Sequence, residues 1–155
     1  MQDDKYFNLL FFLLRMQRKP LLLIMTFLGL LGLLSSLYLV QHHYALAQHS
    51  GFCDFSETVS CSLVNQSAYA ELFHVPVALY GVLWFLIFLT IVCLLWKKKY
   101  PAKRALFFWS STGVLFVFYL FYAEWQVGAI CPWCTLVHII VLLLFSLTLL
   151  LYRRK

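Results

Sequence analysis

The chain has 155 residues, of which 63% are hydrophobic and 12% are charged, and its mean hydropathy is +0.85. A water-soluble core of this size cannot bury so much apolar surface, so the composition excludes an ordinary soluble domain and predicts one membrane domain over residues 1–155. The net charge of +6 does not indicate nucleic-acid binding, because the basic residues lie beside apolar stretches, where they anchor membrane proteins and contact lipid headgroups.

Four stretches without Asp, Glu, Lys or Arg are long enough to cross a bilayer, since a spanning helix needs roughly 20 residues. We therefore predict an all-α integral membrane protein with four transmembrane helices, at about 20–41, 75–96, 105–123 and 132–152. The apolar run 6–14 is too short to span and is interpreted as an interfacial helix or an extension of the first span. Residues 45–47 resemble a signal-peptide cleavage site, but the apolar run before them is too long for a usual signal peptide.

The charges between the spans predict their orientation. Basic clusters lie before the first span, between the second and third, and after the fourth. The connections at about 42–74 and 122–131 contain acidic residues and neither Lys nor Arg. By the positive-inside rule both termini are cytoplasmic and these connections face outward. Since the chain has no Lys-Lys retrieval ending, we expect a bacterial inner membrane with periplasmic cysteines.

Four of the five cysteines fall on the predicted outer side. Cys53 and Cys61 are eight residues apart in the first outer loop, and Cys131 and Cys134 form a CxxC motif where the fourth span begins. A helix N-terminus favours a thiolate, and thiol–disulfide exchange between two such pairs can relay electrons. Cys93 lies late in the second span, where we predict a structural role as a small buried hydrophobic residue.

Static disulfides or a zinc site are the alternatives to a redox relay. Zinc normally takes four ligands, and the spacing of His42, His43 and His49 matches no familiar ligand set, so we predict no metal site. Glu124 is expected at the level of the lipid headgroups and outside the chemistry.

Electrons that reach Cys134 need an acceptor. The sequence shows no flavin fold, nucleotide-binding loop or haem ligand set, which leaves a lipid-soluble quinone, either ubiquinone or menaquinone. His138 follows Cys134 by one helical turn on the same face, so it is placed to hydrogen-bond a quinone carbonyl or to move a proton. The alternative is a histidine packed between helices, although polar groups in membrane helices are costly and favour a functional interpretation.

These motifs, taken in order over about residues 20–150, resemble the vitamin K epoxide reductase family, especially its bacterial branch. The segments that carry the resemblance are Cys53-Asp54, Ser60-Cys61-Ser62, LFHVPVALYG at 72–81 and GAICPWC at 128–134. Many bacterial members carry a fused thioredoxin-like domain, which this chain lacks. Vertebrate members have Tyr in place of His138 and Asn in place of Val77, both near the quinone or epoxide, which leaves epoxide reduction open.

The resemblance implies a four-helix bundle around a quinone and a role for each outer cysteine. Cys134 would contact the quinone, Cys131 would exchange with the loop pair, Cys61 would be the shuttle, and Cys53 would react with a thioredoxin-like or DsbA-like partner. It also implies a cap over the pocket, with a short helix that starts at Asn65 or Ser67 and ends near His74, and a second span that starts at Pro76.

Two other classes of protein are alternatives to the vitamin K epoxide reductase family. A DsbB-type quinone-linked oxidase catalyses the same net reaction, but there the CxxC pair comes in the first outer loop and the spaced pair in the second. A non-enzymatic membrane carrier or assembly protein with structural disulfides is the other alternative. Charged residues or metal ligands inside the spans would favour a carrier, and the four uncharged runs contain no Asp, Glu, Lys or Arg.

Overall fold

The computed structural model describes residues 18–45, 53–97 and 102–153 of the chain. Its four long helices are α1 (Arg18–Ala45), α3 (Val77–Trp96), α4 (Ala102–Val127) and α5 (Pro132–Arg153). Between α1 and α3 lie helix α2 (Cys61–Asn65), a 3₁₀ turn (Ala68–Ala70), and an antiparallel hairpin of β1 (Glu71–Leu72) and β2 (Val75–Pro76). All four long helices have the length and apolar composition needed to cross a bilayer. The protein is therefore an all-α multi-pass membrane bundle, which confirms the predicted fold class.

The long helices form a closed ring in which α1 packs on α3 and α5, and α4 packs on the same two helices. At one end the Arg18 guanidinium donates a hydrogen bond of 2.7 Å to the carbonyl of Leu95, and the rings of Phe107 and Tyr152 stack at 5.1 Å. We call this the basic end. The opposite end, where all the connections with paired cysteines lie, is called the cysteine end.

The core fills the half of the bundle nearer the basic end. Large apolar side chains from every long helix meet there without solvent contact, among them Leu21, Met25, Phe88, Leu106 and Leu144. Nearer the cysteine end the helices enclose a cavity instead. Its position follows from the side chains, because the bulky core ends at Phe85 and Trp84 on α3 and polar or small residues follow.

Helix α4 is longer than the predicted span of 105–123, because it includes the charged residues at both of its ends. It stops at Gly128, whose φ of 71° lies in the left-handed region that glycine tolerates at a helix end. The Gly128 N–H donates to the carbonyl of Glu124 at 3.0 Å, which satisfies one of the last carbonyls of the helix. This turn folds the chain back towards Cys131.

The predicted short helix, capped by Asn65 or Ser67 and running to about His74, is only partly present. Ser67 is the N-cap of a 3₁₀ turn that ends at Ala70. Asn65 ends helix α2, and residues 71–76 form the hairpin, with Phe73 and His74 at positive φ in its turn. A residue before proline avoids the α-helical region, so Val75 favours an extended chain ahead of Pro76. Helix α3 then begins at Val77, one residue later than expected.

Several sequence-based predictions lie outside the described residues. These are the interfacial helix at 6–14, residues 46 and 47 of the cleavage-like site, His49, and the basic residues Arg15, Lys98, Lys99, Arg154 and Lys155.

The packing of α1 on α3 gives a first prediction. A methyl group at Gly32 would lie within 2.3 Å of Cε1 of the buried Phe85 ring, whereas one at Gly29 would meet the flexible end of Leu89 at 2.8 Å. We expect Gly32→Ala to destabilise the protein by about 1–3 kcal/mol, the usual cost of overpacking, and Gly29→Ala to cost less. Thermal unfolding of both variants in detergent measures this, and equal midpoints would contradict the packing.

Candidate functional site

The loop pair forms a disulfide, Cys53–Cys61, with 5.7 Å between the Cα atoms. Asp54 organises the ring that the disulfide closes. One carboxylate oxygen accepts hydrogen bonds from the Ser60 hydroxyl at 2.6 Å and the Ser62 N–H at 3.0 Å, and the other accepts one from the Ser62 hydroxyl. The Cys-Asp and Ser-Cys-Ser motifs noted in the sequence are thus one hydrogen-bonded unit.

Backbone pairing joins this loop to the connection between α4 and α5. The Ser60 N–H donates to the carbonyl of Ile130 at 3.1 Å, and the Ile130 N–H donates to the carbonyl of Thr58 at 2.9 Å. Because Cys61 and Cys131 are the next residues in their segments, the pairing sets them side by side. Their sulfur atoms are 3.3 Å apart, and both side chains are fully buried.

Cys131 occupies the N-cap position of helix α5. Its sulfur accepts a hydrogen bond of 3.2 Å from the Cys134 N–H, and its carbonyl accepts one of 2.9 Å from the Thr135 N–H. Pro132 suits the first turn because it has no N–H to satisfy there. A hydrogen bond from the Cys134 thiol lowers the pKa of the Cys131 thiol, and the backbone N–H groups act in the same direction, whereas burial and the charge of Glu124 oppose them. The helix start therefore favours a thiolate on Cys131.

This arrangement permits thiol–disulfide exchange without large movement. The Cys131 thiolate can attack the sulfur of Cys61, which forms a Cys61–Cys131 bond, breaks the Cys53–Cys61 bond and leaves Cys53 as a thiolate. The reverse reaction uses the same contact. Cys53 is only 2% exposed, so a soluble protein cannot reach it in this conformation.

A cavity of about 400 Å³ lies directly beneath the CxxC motif. Its walls come from all four long helices and from the segment 64–70, which covers it from the cysteine end and is here called the cap. Most of the lining is apolar, as in sites that bind flat hydrophobic ligands. The polar lining includes Ser36, Asn65, Glu124, Cys134 and His138.

Two tryptophans line the cavity on the side away from the cysteines. Trp109 Nε1 donates to the carbonyl of Trp84 at 3.1 Å, Trp84 Nε1 donates to the carbonyl of Trp109 at 3.3 Å, and the rings stack. A side chain at Gly113 would collide with the Trp84 ring, so this glycine makes room for the pair. Paired in this way, the two indole N–H groups are satisfied within the bundle.

His138 enters the cavity from α5, one turn below Cys134, as predicted from the spacing. Its side chain is 1% exposed, and neither ring nitrogen has a hydrogen-bond partner among the described residues. The nearest aromatic ring is that of Phe121, at 4.9 Å between centroids. Burying a polar group without a hydrogen-bond partner lowers stability by about 1–3 kcal/mol. The imidazole is therefore available to hydrogen-bond a ligand that enters the cavity.

The cap is fixed by its own polar contacts. Asn65 Nδ2 donates to the carbonyl of Leu39 at 3.1 Å, and His43 Nδ1 lies 2.8 Å from the carbonyl of Asn65. His43 Nε2 is also 3.5 Å from a carboxylate oxygen of Glu71. His43 thus ties the end of α1 to the cap, a role that the sequence did not indicate, since nothing in it shows which residues α1 faces.

Glu124 and Cys93 differ from the sequence-based expectation. Glu124 is buried, lines the cavity, and accepts a hydrogen bond of 3.4 Å from the Cys131 N–H, so it lies inside the bundle and next to the cysteines. Cys93 was expected to be buried, and this is wrong. The inward positions of α3 include Phe88, Val92 and Leu95, and Cys93 points outward between them.

Among the described residues no group of three or more His, Cys, Asp or Glu side chains could hold a metal ion. The chain was also compared with known proteins. The model of the vitamin K epoxide reductase family matches residues 23–149, which include both cysteine pairs, the cap and all four long helices almost in full. No curated protein matches the chain.

The contact between Cys61 and Cys131 gives a second prediction. In a Cys53→Ala/Cys134→Ala protein each of these two cysteines has lost its own partner, and their sulfurs are already 3.3 Å apart. Mild oxidation should therefore yield a Cys61–Cys131 disulfide as the major product, detected by peptide mass mapping. The matched control is Cys61→Ala/Cys134→Ala, which keeps Cys53 and Cys131 and should cross-link far less. Equal cross-linking in the two proteins would contradict the geometry.

Proposed function

The chain belongs to the vitamin K epoxide reductase family, and on that premise we propose that it is a quinone-dependent thiol–disulfide oxidoreductase. It passes electrons from a thioredoxin-like dithiol partner through its two cysteine pairs to a quinone, and so supports disulfide bond formation. The observation that carries the proposal is the 3.3 Å contact between the buried sulfurs of Cys61 and Cys131, which joins the two pairs.

The relay consists of two balanced exchanges. A partner thiolate attacks Cys53 and releases Cys61 as a thiolate, and the second partner thiol then closes the partner's disulfide and frees Cys53. Cys61 next attacks Cys131 of an oxidised CxxC pair and releases Cys134 as a thiolate. Cys53 then attacks Cys61, which restores Cys53–Cys61 and leaves Cys131 and Cys134 as thiols.

The cavity beneath Cys134 fits a quinone head group. The group would be surrounded by apolar walls and the cap, with Cys134 on one side and His138 on another. The two unpaired ring nitrogens of His138 support this assignment, because an imidazole N–H can donate to a quinone carbonyl. A bound quinone would accept two electrons and two protons as the CxxC pair becomes a disulfide. Its side-chain length and ring substituents are not specified by these contacts, so ubiquinone and menaquinone both remain candidates.

The reaction with the partner requires movement of the segment 53–60. Cys53, the first residue of this segment, is only 2% exposed. The contacts that hold the segment include the two backbone hydrogen bonds to Ile130, those of Asp54 and the disulfide to Cys61. We propose that docking of the partner opens it and exposes Cys53 while Cys61 stays near Cys131.

We further propose that the cysteine end faces the periplasm of a bacterial inner membrane and that both termini are cytoplasmic. The distribution of charge supports this orientation. The basic end carries basic residues on, or directly next to, all four described long helices, whereas the described parts of the cysteine end have neither Lys nor Arg. The basic residues concerned are Arg18, Lys19, Lys97, Lys103, Arg104 and Arg153. Membrane proteins keep such residues on the cytoplasmic side.

The relay is tested by anaerobic quinone reduction. Purified protein in detergent is mixed with a thioredoxin-like dithiol and with ubiquinone-1 or a menaquinone analogue, and quinol formation is followed. Cys61 is needed for exchange between the two cysteine pairs, and Cys134 for reduction of the quinone. Cys61→Ala and Cys134→Ala should therefore both abolish turnover. Cys93→Ala is the matched control and should keep wild-type activity, since Cys93 points away from the relay. Turnover in Cys61→Ala equal to that of wild type would refute the relay.

His138 is tested by separating binding from stability. In His138→Leu the unpaired buried nitrogens are removed, so we expect an unfolding temperature equal to or above that of wild type. The hydrogen bond to the quinone is lost as well, which should raise KM by about 5–10-fold, corresponding to about 1 kcal/mol. His138→Gln, which keeps a donor, should fall between the two. An unchanged KM in His138→Leu would remove His138 from the quinone site.

A further inference from the structure

The relay accounts for the sulfur atoms and the electrons, but two protons must also leave the cysteines. Oxidation of Cys131 and Cys134 to a disulfide releases one proton from each thiol, and reduction of a quinone takes up two. The start of α5 favours the loss of the first proton, because it stabilises a thiolate on Cys131. The second proton, on Cys134, must leave at the edge of a buried and largely apolar cavity.

Glu124 is the described cavity residue best suited to take that proton. It is the only Asp, Glu, Lys or Arg among the residues that line the cavity in the described parts of the chain. Its carboxylate is held against the CxxC segment by the hydrogen bond from the Cys131 N–H, at 3.4 Å. Its own carbonyl accepts the Gly128 N–H, so the residue is fixed from both sides to the connection that carries Cys131.

A carboxylate inside a membrane bundle is costly to bury and favours a functional role. Glu124 has no basic partner within the described lining of the cavity, so it does not serve as half of a buried ion pair there. The other titratable side chains that line the cavity are Tyr69 of the cap, Tyr80 of α3, and Cys134 and His138 of α5. Cys131 adjoins Glu124 from above through its N–H. A cysteine thiol is the group in this set whose proton the reaction has to remove.

We propose that Glu124 is the proton-transfer residue of the site. It accepts the thiol proton of Cys134 as that sulfur gives up its electron pair, and it passes the proton to an oxygen of the bound quinone. The proton that Cys131 loses when it forms its thiolate goes to solvent. The quinone takes its second proton from solvent. Protons and electrons then balance: two thiols lose two of each, and the quinone gains two of each. This inference rests on the proposed quinone reductase function.

The test is a single-turnover reaction of protein with a reduced CxxC pair and ubiquinone-1, followed by stopped flow without oxygen over a range of pH. Glu124→Gln keeps an oxygen that can accept the Cys131 N–H and loses only the ability to carry a proton. We expect it to slow quinone reduction by about 100-fold, within the usual range for general acid–base catalysis. We also expect the acid limb of the pH profile to change, because only protonation of the Cys131 thiolate then remains to slow the reaction. Cross-linking between Cys61 and Cys131 should be unchanged, because their contact does not involve the carboxylate.

Glu57→Gln is the matched control, since it removes the same charge from an exposed position of the first loop. Because the single-turnover reaction contains no partner protein, this variant should behave as wild type. Glu124→Asp keeps a carboxylate and should keep the acid limb of the profile even if its rate is reduced. The inference is overturned if Glu124→Gln reduces quinone as fast as an active wild type, or if it is slow with an unchanged pH profile, which would indicate a structural role. It is also overturned if Glu124→Asp shows the same changed acid limb as Glu124→Gln. A wild type that reduces no quinone would overturn the proposed function, and this inference with it.

Discussion

The pairing of two short connections at one end of the bundle is the constraint on which the site depends. Residues 58–60 and Ile130 share two backbone hydrogen bonds, and the next residue in each segment is a cysteine. Each such bond stabilises the fold by only about 0.5–1.5 kcal/mol. Together they restrict the two loops to a conformation in which the sulfur atoms are in contact. Three features keep these two segments in register: the turn at Gly128, the hydrogen bonds of Asp54 within the disulfide-closed loop, and the N-cap position of Cys131.

The bilayer explains why the interior of the bundle has few polar groups and why most of them are paired with one another. A helix that crosses lipid satisfies its own backbone, and side chains that need partners must find them inside the bundle. Trp84 and Trp109 do so with each other's carbonyl groups, and Asn65 does so with α1. His138 is the exception within the described part of the cavity, because it is buried against the cavity with neither nitrogen satisfied. The contrast between satisfied and unsatisfied groups distinguishes residues that build the cavity from one available to bind in it.

The sequence predicted the four spans, the fold class and the spacing of His138 below Cys134, because each follows from uncharged runs or from helical periodicity. It did not predict the ends of α4, since a count of uncharged residues stops at Arg104 and Glu124 whereas the helix continues through both. The direction of Glu124 and Cys93 could not be derived either. Both depend on which face of a helix meets its neighbours, and in a span that is apolar all round no periodic pattern reveals that face. The resemblance to a known family supplied the cap but extended its helix to about His74, whereas the helical turn ends at Ala70 and a hairpin occupies 71–76.

The burial of the relay has a cost and an advantage that must be considered together. With Cys53, Cys61 and Cys131 at 0–2% exposure, no soluble thiol or oxidant reaches the sulfurs in the closed state, so electrons cannot be lost to unspecific reactants. The same burial would exclude the proposed protein partner. Opening the segment 53–60 breaks its hydrogen bonds to Ile130 and those of Asp54, at about 1 kcal/mol each, and removes Cys53 from its apolar contacts with Leu39, Cys61 and Cys131. A partner that offers replacement contacts to this segment can meet that cost, whereas a small thiol cannot. Selectivity for a protein partner would then arise from the hydrogen bonds that close the loop, and the cap and cavity would stay intact while it opens.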